Sequence, residues 1–127
     1  MLNKITLRSA LEKLEKKEIS LTEIYSDTLK CIEKNKNLNV YLTLNDQAIQ
    51  QAHDHKEQTG PLRGVPIAVK DNICTKDLRT TASSTVLDTF IPQFDSTVST
   101  NLKNHGGVII GKTNLDAWAH GSSTETS

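Results

Sequence analysis

Lys70 is the residue whose type and position best suit a chemical role. It follows an apolar, β-branched run, Val65 to Val69, which is the pattern of a buried strand. In open α/β sheets, ligands and reacting groups collect at the carboxyl ends of strands. Burial of an ammonium group favours its neutral form, and a neutral amine can accept a proton. Lys70 is therefore a candidate general base. The alternative is a structural lysine that is solvated or paired with Asp71.

A second segment carries a familiar phosphate-binding pattern. GGVIIGKT, Gly106 to Thr113, matches G-x-x-x-x-G-K-[ST] at every position. In a true P-loop, however, the residues between the two glycines form a loop that wraps phosphate, and the strand precedes the first glycine. Here Val108 to Ile110 have the composition of a strand. We therefore predict a strand, and keep a nucleotide site at Gly111, Lys112 and Thr113 as the alternative.

Hydroxyl-rich segments and histidines are the other candidate groups. Thr80 to Thr85 and Gly121 to Ser127 could supply hydroxyl donors and tight turns near a site, although such segments are also ordinary loops. His53 and His55 lie two residues apart on a predicted helix and face different ways, which disfavours a shared metal ion. Cys31 and Cys74 have no metal-ligand spacing. No metal site is predicted.

Three helices and a short strand are predicted in the first sixty residues. Thr6 is a plausible N-cap for an amphipathic helix to about Lys17. Ser20 and Glu23 form a capping-box pattern for a second helix to about Lys34. Val40 to Leu44 is β-rich, and Asn45 can cap a third helix towards Gly60. This region is interpreted as packing structure.

The remaining residues, 61–127, are predicted to form the α/β part of the same domain. Strand Val65 to Val69 is followed by a helix that Asp95 or Ser96 caps, then by strand Val108 to Ile110. A short helix is expected from Thr113 or Asn114 to about Gly121. The fold class is therefore α/β, with a mainly helical region, 1–60, ahead of the first strands and helices of a mixed, incomplete sheet.

Charge and hydropathy exclude several classes of protein. Fifteen basic and fifteen acidic residues cancel, and the pI is about 6.9, so no global basic field would attract nucleic acid. No apolar run approaches the roughly 20 residues that a membrane span needs. The N-terminus lacks the apolar stretch of a signal peptide. A soluble, cytoplasmic protein is expected.

Four segments resemble the amidase signature family in their order and spacing. They are LRGVPIAVKDNI (Leu62 to Ile73), TTASS (Thr80 to Ser84), FIPQFDSTV (Phe90 to Val98) and GGVIIGKTNLDAWAHGSSTETS (Gly106 to Ser127). Within the family, GKTNLD followed by GSSTE resembles the A subunits of glutamyl-tRNA(Gln) amidotransferases. The resemblance implies a Ser-cisSer-Lys triad in which Lys70 is the lysine, with both serines in a Gly/Ser-rich segment beyond Ser127. It also implies substrate binding by Gly121, Ser122 and Ser123.

The resemblance implies a function and a set of partners. The second serine would attack the side-chain amide of glutamine, and ammonia would pass to a B subunit that amidates glutamyl-tRNA with ATP and magnesium. This chain would hold no cofactor, would assemble with B and C subunits, and would meet tRNA only through that complex. By itself it is expected to be inactive.

One departure from the family pattern affects the choice of substrate. The family usually has Asp-Glu-Phe-Ala-Met where this chain has Asp116, Ala117, Trp118, Ala119 and His120. The alternative for the substrate is therefore another amidase-signature hydrolase of small amides. Alternatives from other classes are a nucleotide-binding module that uses Gly111, Lys112 and Thr113, and a non-catalytic interaction module.

Overall fold

The chain folds as helices packed on a small sheet, in a computed structural model that describes residues 4–54 and 60–127. The helices are α1 (Leu7–Glu15), α2 (Leu21–Lys34), α3 (Ala48–Asp54) and α4 (Thr97–Asn104). The strands are β1 (Tyr41–Leu44), β2 (Pro66–Lys70) and β3 (Val108–Thr113). Short 3-10 turns lie at Lys36–Leu38, Thr85–Leu87 and Ala117–Ala119. This arrangement confirms the predicted α/β class.

Side-chain caps fix the start of three helices. The Thr6 side chain accepts a hydrogen bond from the Ser9 N–H at 3.2 Å, which caps α1. Ser20 and Glu23 form the predicted capping box at α2, where each side chain accepts from the other residue's backbone N–H. Ser96, one of the two predicted residues, caps α4. These caps satisfy N–H groups that a helix cannot pair internally.

The sheet is mixed, with strand order β1-β3-β2. Strand β3 pairs antiparallel with β1 and parallel with β2, and α4 lies in the connection between the parallel strands. Pro66 is the first residue of β2, where its missing N–H costs no central ladder bond. The predicted strand–helix–strand order of residues 61–127 is therefore confirmed.

A bulge in β3 is held by Asn45. The register of β2 against β3 shifts after Ile67, which pairs with Ile109, so that Ala68 faces Gly111. Asn45 donates to the bulged segment through its backbone N–H, to the Ile110 carbonyl at 2.9 Å, and through Nδ2, to the Ile109 carbonyl at 2.8 Å. These bonds satisfy the two β3 carbonyl groups at the bulge, where the pairing between strands is irregular.

The core lies between helices α2 and α3 and one face of β3. Its buried residues are Tyr25, Ala48, Ala52, Val108 and Ile110, with Leu21, Leu29, Ile32 and Tyr41 packed against them. The Tyr25 hydroxyl donates to the Gly64 carbonyl at 2.8 Å, so its one polar atom is satisfied inside the core. The helical region thus covers one face of the sheet.

Two predictions differ from the structure at helix boundaries. Helix α3 begins at Ala48, three residues after Asn45, whose Oδ1 accepts the Gln47 N–H. Its predicted continuation towards Gly60 falls on residues 55–59, outside the described residues. The predicted helix from Thr113 or Asn114 is wrong. Thr113 ends β3, and Asn114 Oδ1 accepts from its neighbour Leu115 and from Ser83 instead of capping a helix.

We expect Ser20→Ala to lower the free energy of unfolding by about 1 kcal/mol, because it removes the cap of α2. Urea unfolding followed by circular dichroism measures this change. Lys30→Ala is the control, since Lys30 is exposed on the same helix. Equal destabilisation by the two variants would show that the capping box contributes nothing.

Candidate functional site

The family-like segments converge where the two parallel strands end. Lys70, the last residue of β2, is the register partner of Thr113, the last residue of β3. The Asp71 N–H donates to the Thr113 carbonyl at 3.0 Å, which extends the pairing by one step. The segments that follow β2 and β3 therefore leave the sheet at one edge, as expected for the ligand-binding edge of an α/β sheet.

Lys70 is exposed at this edge, so the predicted burial of its side chain is wrong in this chain. The physical reason is strand alternation, since successive side chains point to opposite faces of a sheet. Val69 is buried and is the register partner of Lys112 on β3. Lys70 therefore points to the opposite face from Val69 and Lys112, and at the end of the strand its side chain is exposed there. Its role as a base stays a prediction.

The buried lysine of the sheet is Lys112. Its side chain and that of Asp71 both have no exposed surface, and Lys112 Nζ lies 3.5 Å from Asp71 Oδ1. Nζ also donates to the Ile73 carbonyl and to Thr80 Oγ1, each at 2.7 Å. Asp71 is thus paired with Lys112, and the alternative that paired it with Lys70 is wrong.

Burial lowers the pKa of Lys112, and the neighbouring Asp71 carboxylate partly opposes that shift. The remaining Asp71 oxygen, Oδ2, accepts from the Thr81 N–H at 2.9 Å and from Thr81 Oγ1 at 2.6 Å. The ion pair and its hydrogen bonds therefore connect the end of β3 to residues 71–73, directly after β2, and to Thr80 and Thr81. Sequence reasoning missed it, although a lysine that continues an apolar strand is a signal for a buried partner.

This arrangement does not fit the P-loop hypothesis. Strand β3 runs from Val108 through Thr113, so the predicted strand is confirmed and includes Gly111 and Lys112 as well. A Cβ at Gly111 would lie 2.6 Å from the Thr43 carbonyl oxygen of β1. The glycine thus permits close strand packing, and the lysine that would meet phosphate is enclosed.

The TTASS segment is hydrogen-bonded to the residues that follow β2 and β3. Besides the Thr81 contacts with Asp71, Ser83 Oγ donates to Asn114 Oδ1 at 2.7 Å, just after β3. The Ala82 carbonyl accepts from the Trp118 N–H at 2.9 Å. Ala82 and Ser83 have φ values of 52° and 54°, in the left-handed region that ordinary residues seldom adopt. Side-chain and backbone bonds at this edge thus hold an unfavourable turn.

A cavity of about 250 Å³ opens beside this turn. It is lined by Asp71, Asn72, Cys74, Thr80, Ala82, Leu87, Phe90 and Trp118. Trp118 is one of the residues that departs from the family pattern, so the departure falls on the wall of a cavity. His120 is exposed, and the described residues contain no cluster of three metal-ligating side chains.

Gly121, Ser122 and Ser123 lie in an exposed loop after the Ala117–Ala119 turn. The Ser123 N–H donates to Asp116 Oδ2 at 3.1 Å, which connects the loop to the segment after β3. Hydrogen bonds from Thr124, Thr126 and Ser123 lower the pKa of Asp116, with the Thr124 N–H as the main cause and burial opposing it. Asp116 is a second residue that sequence reasoning missed.

No helix in residues 4–54 or 60–127 is long and apolar enough to cross a bilayer.

We expect Lys112→Met to lower the free energy of unfolding by about 3–5 kcal/mol, because it leaves the buried Asp71 carboxylate without its counter-charge. Adding Asp71→Asn should recover part of the loss, since the remaining group is then neutral. Chemical denaturation of both variants measures these changes.

Lys36→Met is the matched control for this experiment. Lys36 forms an exposed ion pair with Glu33 at 3.4 Å, and losing such a pair costs less than about 1 kcal/mol. A Lys112→Met variant no less stable than Lys36→Met would contradict the importance of the buried pair.

We also expect no saturable binding of ATP up to about 1 mM, with or without magnesium, because Lys112 Nζ is enclosed and bonded to protein groups. Isothermal titration calorimetry of the folded chain tests this. Micromolar affinity would restore the nucleotide-site alternative.

Comparisons with known proteins agree with these segments. Residues 21–127 match the Amidase family. The A subunit of the glutamyl-tRNA(Gln) amidotransferase of Rickettsia bellii is 44% identical over 132 residues, covering 99% of this chain and 27% of that protein. Its counterpart from Heliobacterium modesticaldum is 48% identical over 123 residues, covering 90% of this chain and 25% of that protein.

Solved structures share the fold. The corresponding protein of the Thermotoga maritima amidotransferase superposes with a TM-score of 0.82 at 31% identity, covering 100% of this chain and 26% of its own. Native peptide amidase from Stenotrophomonas maltophilia gives 0.85 at 28% identity, covering 92% and 26%. The chain spans about a quarter of the length of these relatives. With its family segments gathered at one sheet edge, the chain belongs to the amidase family.

Proposed function

We propose that this chain is the N-terminal part of the glutamine-hydrolysing A subunit of a glutamyl-tRNA(Gln) amidotransferase. The observation that carries the proposal is the identity of 44% and 48% to two proteins of that name, over at least 90% of this chain. The likeness to a peptide amidase, at 28% identity, supports amide hydrolysis as the wider class.

In the proposed reaction, a serine outside residues 1–127 attacks the side-chain amide carbon of glutamine. Lys70 accepts the proton of that serine through a bridging serine, and the amide nitrogen leaves as ammonia. Water then hydrolyses the acyl-enzyme ester to glutamate and regenerates the serine. Each turnover consumes one glutamine and one water and yields one glutamate and one ammonia.

This chain would contribute the base and part of the substrate site. Lys70 stands exposed at the carboxyl end of β2, where further chain or substrate could meet it. Since Asp71 is bonded to Lys112 and Thr81, its carboxylate is not available as a structural partner for Lys70. Gly121, Ser122 and Ser123 would present backbone and hydroxyl groups to the substrate.

The proposed partners follow from the same similarity. B and C subunits would assemble with the complete protein, and the B subunit would use ATP and magnesium to amidate glutamyl-tRNA with the released ammonia. The balanced charge of this chain supports contact with tRNA through the complex instead of through a basic surface of its own. A cytoplasmic location is part of the proposal.

A second candidate is an amidase that acts on a different small amide. It is favoured by Trp118, which lines the 250 Å³ cavity in place of the family's usual phenylalanine. A larger indole in that wall would change the space open to a substrate. Relative turnover of glutamine and of other primary amides by the complete enzyme distinguishes the two candidates.

We expect Lys70→Arg to abolish glutaminase activity nearly as completely as Lys70→Ala, with losses of about 100-fold or more. A base must be deprotonated to accept a proton, and the arginine guanidinium stays charged at any working pH. The test uses residues 1–127 joined to the remaining sequence of the Thermotoga maritima protein, assembled with its B and C subunits. Release of glutamate from glutamine is measured.

Lys76→Arg is the matched control, because Lys76 is exposed and lies after the strand end. The 127-residue chain alone gives the baseline, and we expect no turnover from it. Circular dichroism checks that each variant is folded, since an arginine can overpack a site. Near-normal turnover by a folded Lys70→Arg enzyme would remove Lys70 from the catalytic residues.

A further inference from the structure

The segment after Gly121 closes around the carboxylate of Asp116. Oδ2 accepts from the backbone N–H groups of Ser123, at 3.1 Å, and Thr124, at 2.9 Å. Oδ1 accepts from the N–H of Thr126, at 3.3 Å, and from its hydroxyl, at 3.0 Å. One side chain thus receives four hydrogen bonds from a single short stretch of chain, and Asp116 is only 6% exposed.

The backbone between Asp116 and this loop is folded back on itself. Trp118 and Ala119 have φ values of 57° and 61°, both in the left-handed region. Two such residues in succession cost free energy and need compensation from the surroundings. The Ala119 N–H donates to the Asp116 carbonyl at 2.8 Å. The Asp116 carboxylate accepts hydrogen bonds from the chain after the reversal, beginning at Ser123. Asp116 thus bonds to both limbs of the reversal.

Gly121 packs directly against this carboxylate, and only a residue without a side chain fits there. A Cβ at that position would lie 2.3 Å from Asp116 Cγ and 2.5 Å from Oδ2, closer than any real contact. The carboxyl group therefore occupies the space that any other residue at 121 would need. Gly121 and Asp116 form one structural unit, although they are not neighbours in the sequence.

We propose that Asp116 is a positioning residue that sets the conformation of Gly121, Ser122 and Ser123 for substrate binding. The part of this inference that concerns substrate rests on the function proposed above. Asp116 itself would not touch the substrate, because protein donors already use both of its oxygens. Its effect passes through the loop, where the Ser123 N–H is fixed on the carboxylate while Ser122 and Ser123 remain exposed.

Charge and geometry make asparagine an informative replacement. Asp116→Asn keeps the size of the side chain but puts an NH2 group where one oxygen accepts hydrogen bonds. At the Oδ2 position that group would face the N–H groups of Ser123 and Thr124 and could accept from neither. At the Oδ1 position it would lose the Thr126 N–H and could donate to the Thr126 hydroxyl instead. The loop should then lose at least one backbone hydrogen bond to this side chain, and its charged acceptor, while the sheet and core stay intact.

Amide hydrogen exchange of the 127-residue chain tests the positioning itself. We expect Asp116→Asn to speed exchange at Ser123, Thr124 or Thr126 by about tenfold or more, as befits the loss of bonds to a charged acceptor. Gly121→Ala should do the same by displacing the carboxylate. Asp77→Asn is the control, because Asp77 is exposed and its φ of 61° suits asparagine. Unchanged exchange in both test variants, with exchange in the core strands preserved, would overturn the proposal.

Kinetics of the complete enzyme test the consequence for substrate. In the assembled chimera, Asp116→Asn and Gly121→Ala should raise the KM for glutamine by about tenfold with little change in kcat, because they disturb binding and not the base. A faster-exchanging loop with an unchanged KM would overturn the role in substrate binding. An inactive parent chimera would contradict the proposed function instead. The hydrogen-exchange result would still decide whether Asp116 positions the loop.

Discussion

The buried contact between Lys112 and Asp71 is the interaction on which the described sheet edge depends. It joins the end of β3 to the residue that follows β2, and neither side chain has any exposed surface. Two charges in such a place are tolerated only when nearby groups satisfy them. Thr80 and the Ile73 carbonyl accept from Lys112, and Thr81 donates to Asp71 Oδ2. Asp71 Oδ1 has no hydrogen-bond partner among the described residues, so the Lys112 charge at 3.5 Å is what compensates it. The pair therefore fixes the path of the chain on both sides of Lys70 without involving Lys70.

A second carboxylate organises the other half of the same edge. Asp116 accepts hydrogen bonds from the loop after Gly121, as Asp71 does from the TTASS turn. The Trp118 N–H donates to the Ala82 carbonyl and so connects the two turns. Both turns contain residues at positive φ, which are costly in isolation. Enclosed carboxylates with several donors supply directional bonds that can hold them. The edge is thus shaped by polar contacts, whereas the apolar core lies under α2 and α3.

Lys70 is exposed and Lys112 is buried because side chains alternate between the two faces of a strand. The two lysines stand at the ends of neighbouring parallel strands, and a pattern of residue types alone favours burial of either. Alternation and register decide between them, because Val69 is the partner of Lys112 and both side chains are buried. Lys70 points to the opposite face and is exposed at the strand end, a position suited to meeting further chain or substrate.

Local sequence determined the helix caps at Thr6 and Ser20, left Asp95 or Ser96 for the cap of α4, and placed the two parallel strands to within one residue of their starts at Pro66 and Val108. Each of these features depends on neighbouring residues and on short-range periodicity. It also carried the family resemblance and the choice of Lys70 as the candidate base. Only tertiary structure decided which lysine is buried, that Asn114 bonds to Ser83 instead of starting a helix, and that Asp116 receives the final loop. These outcomes join residues that are not neighbours in the chain or depend on the register between strands, and neither property is written in a local pattern.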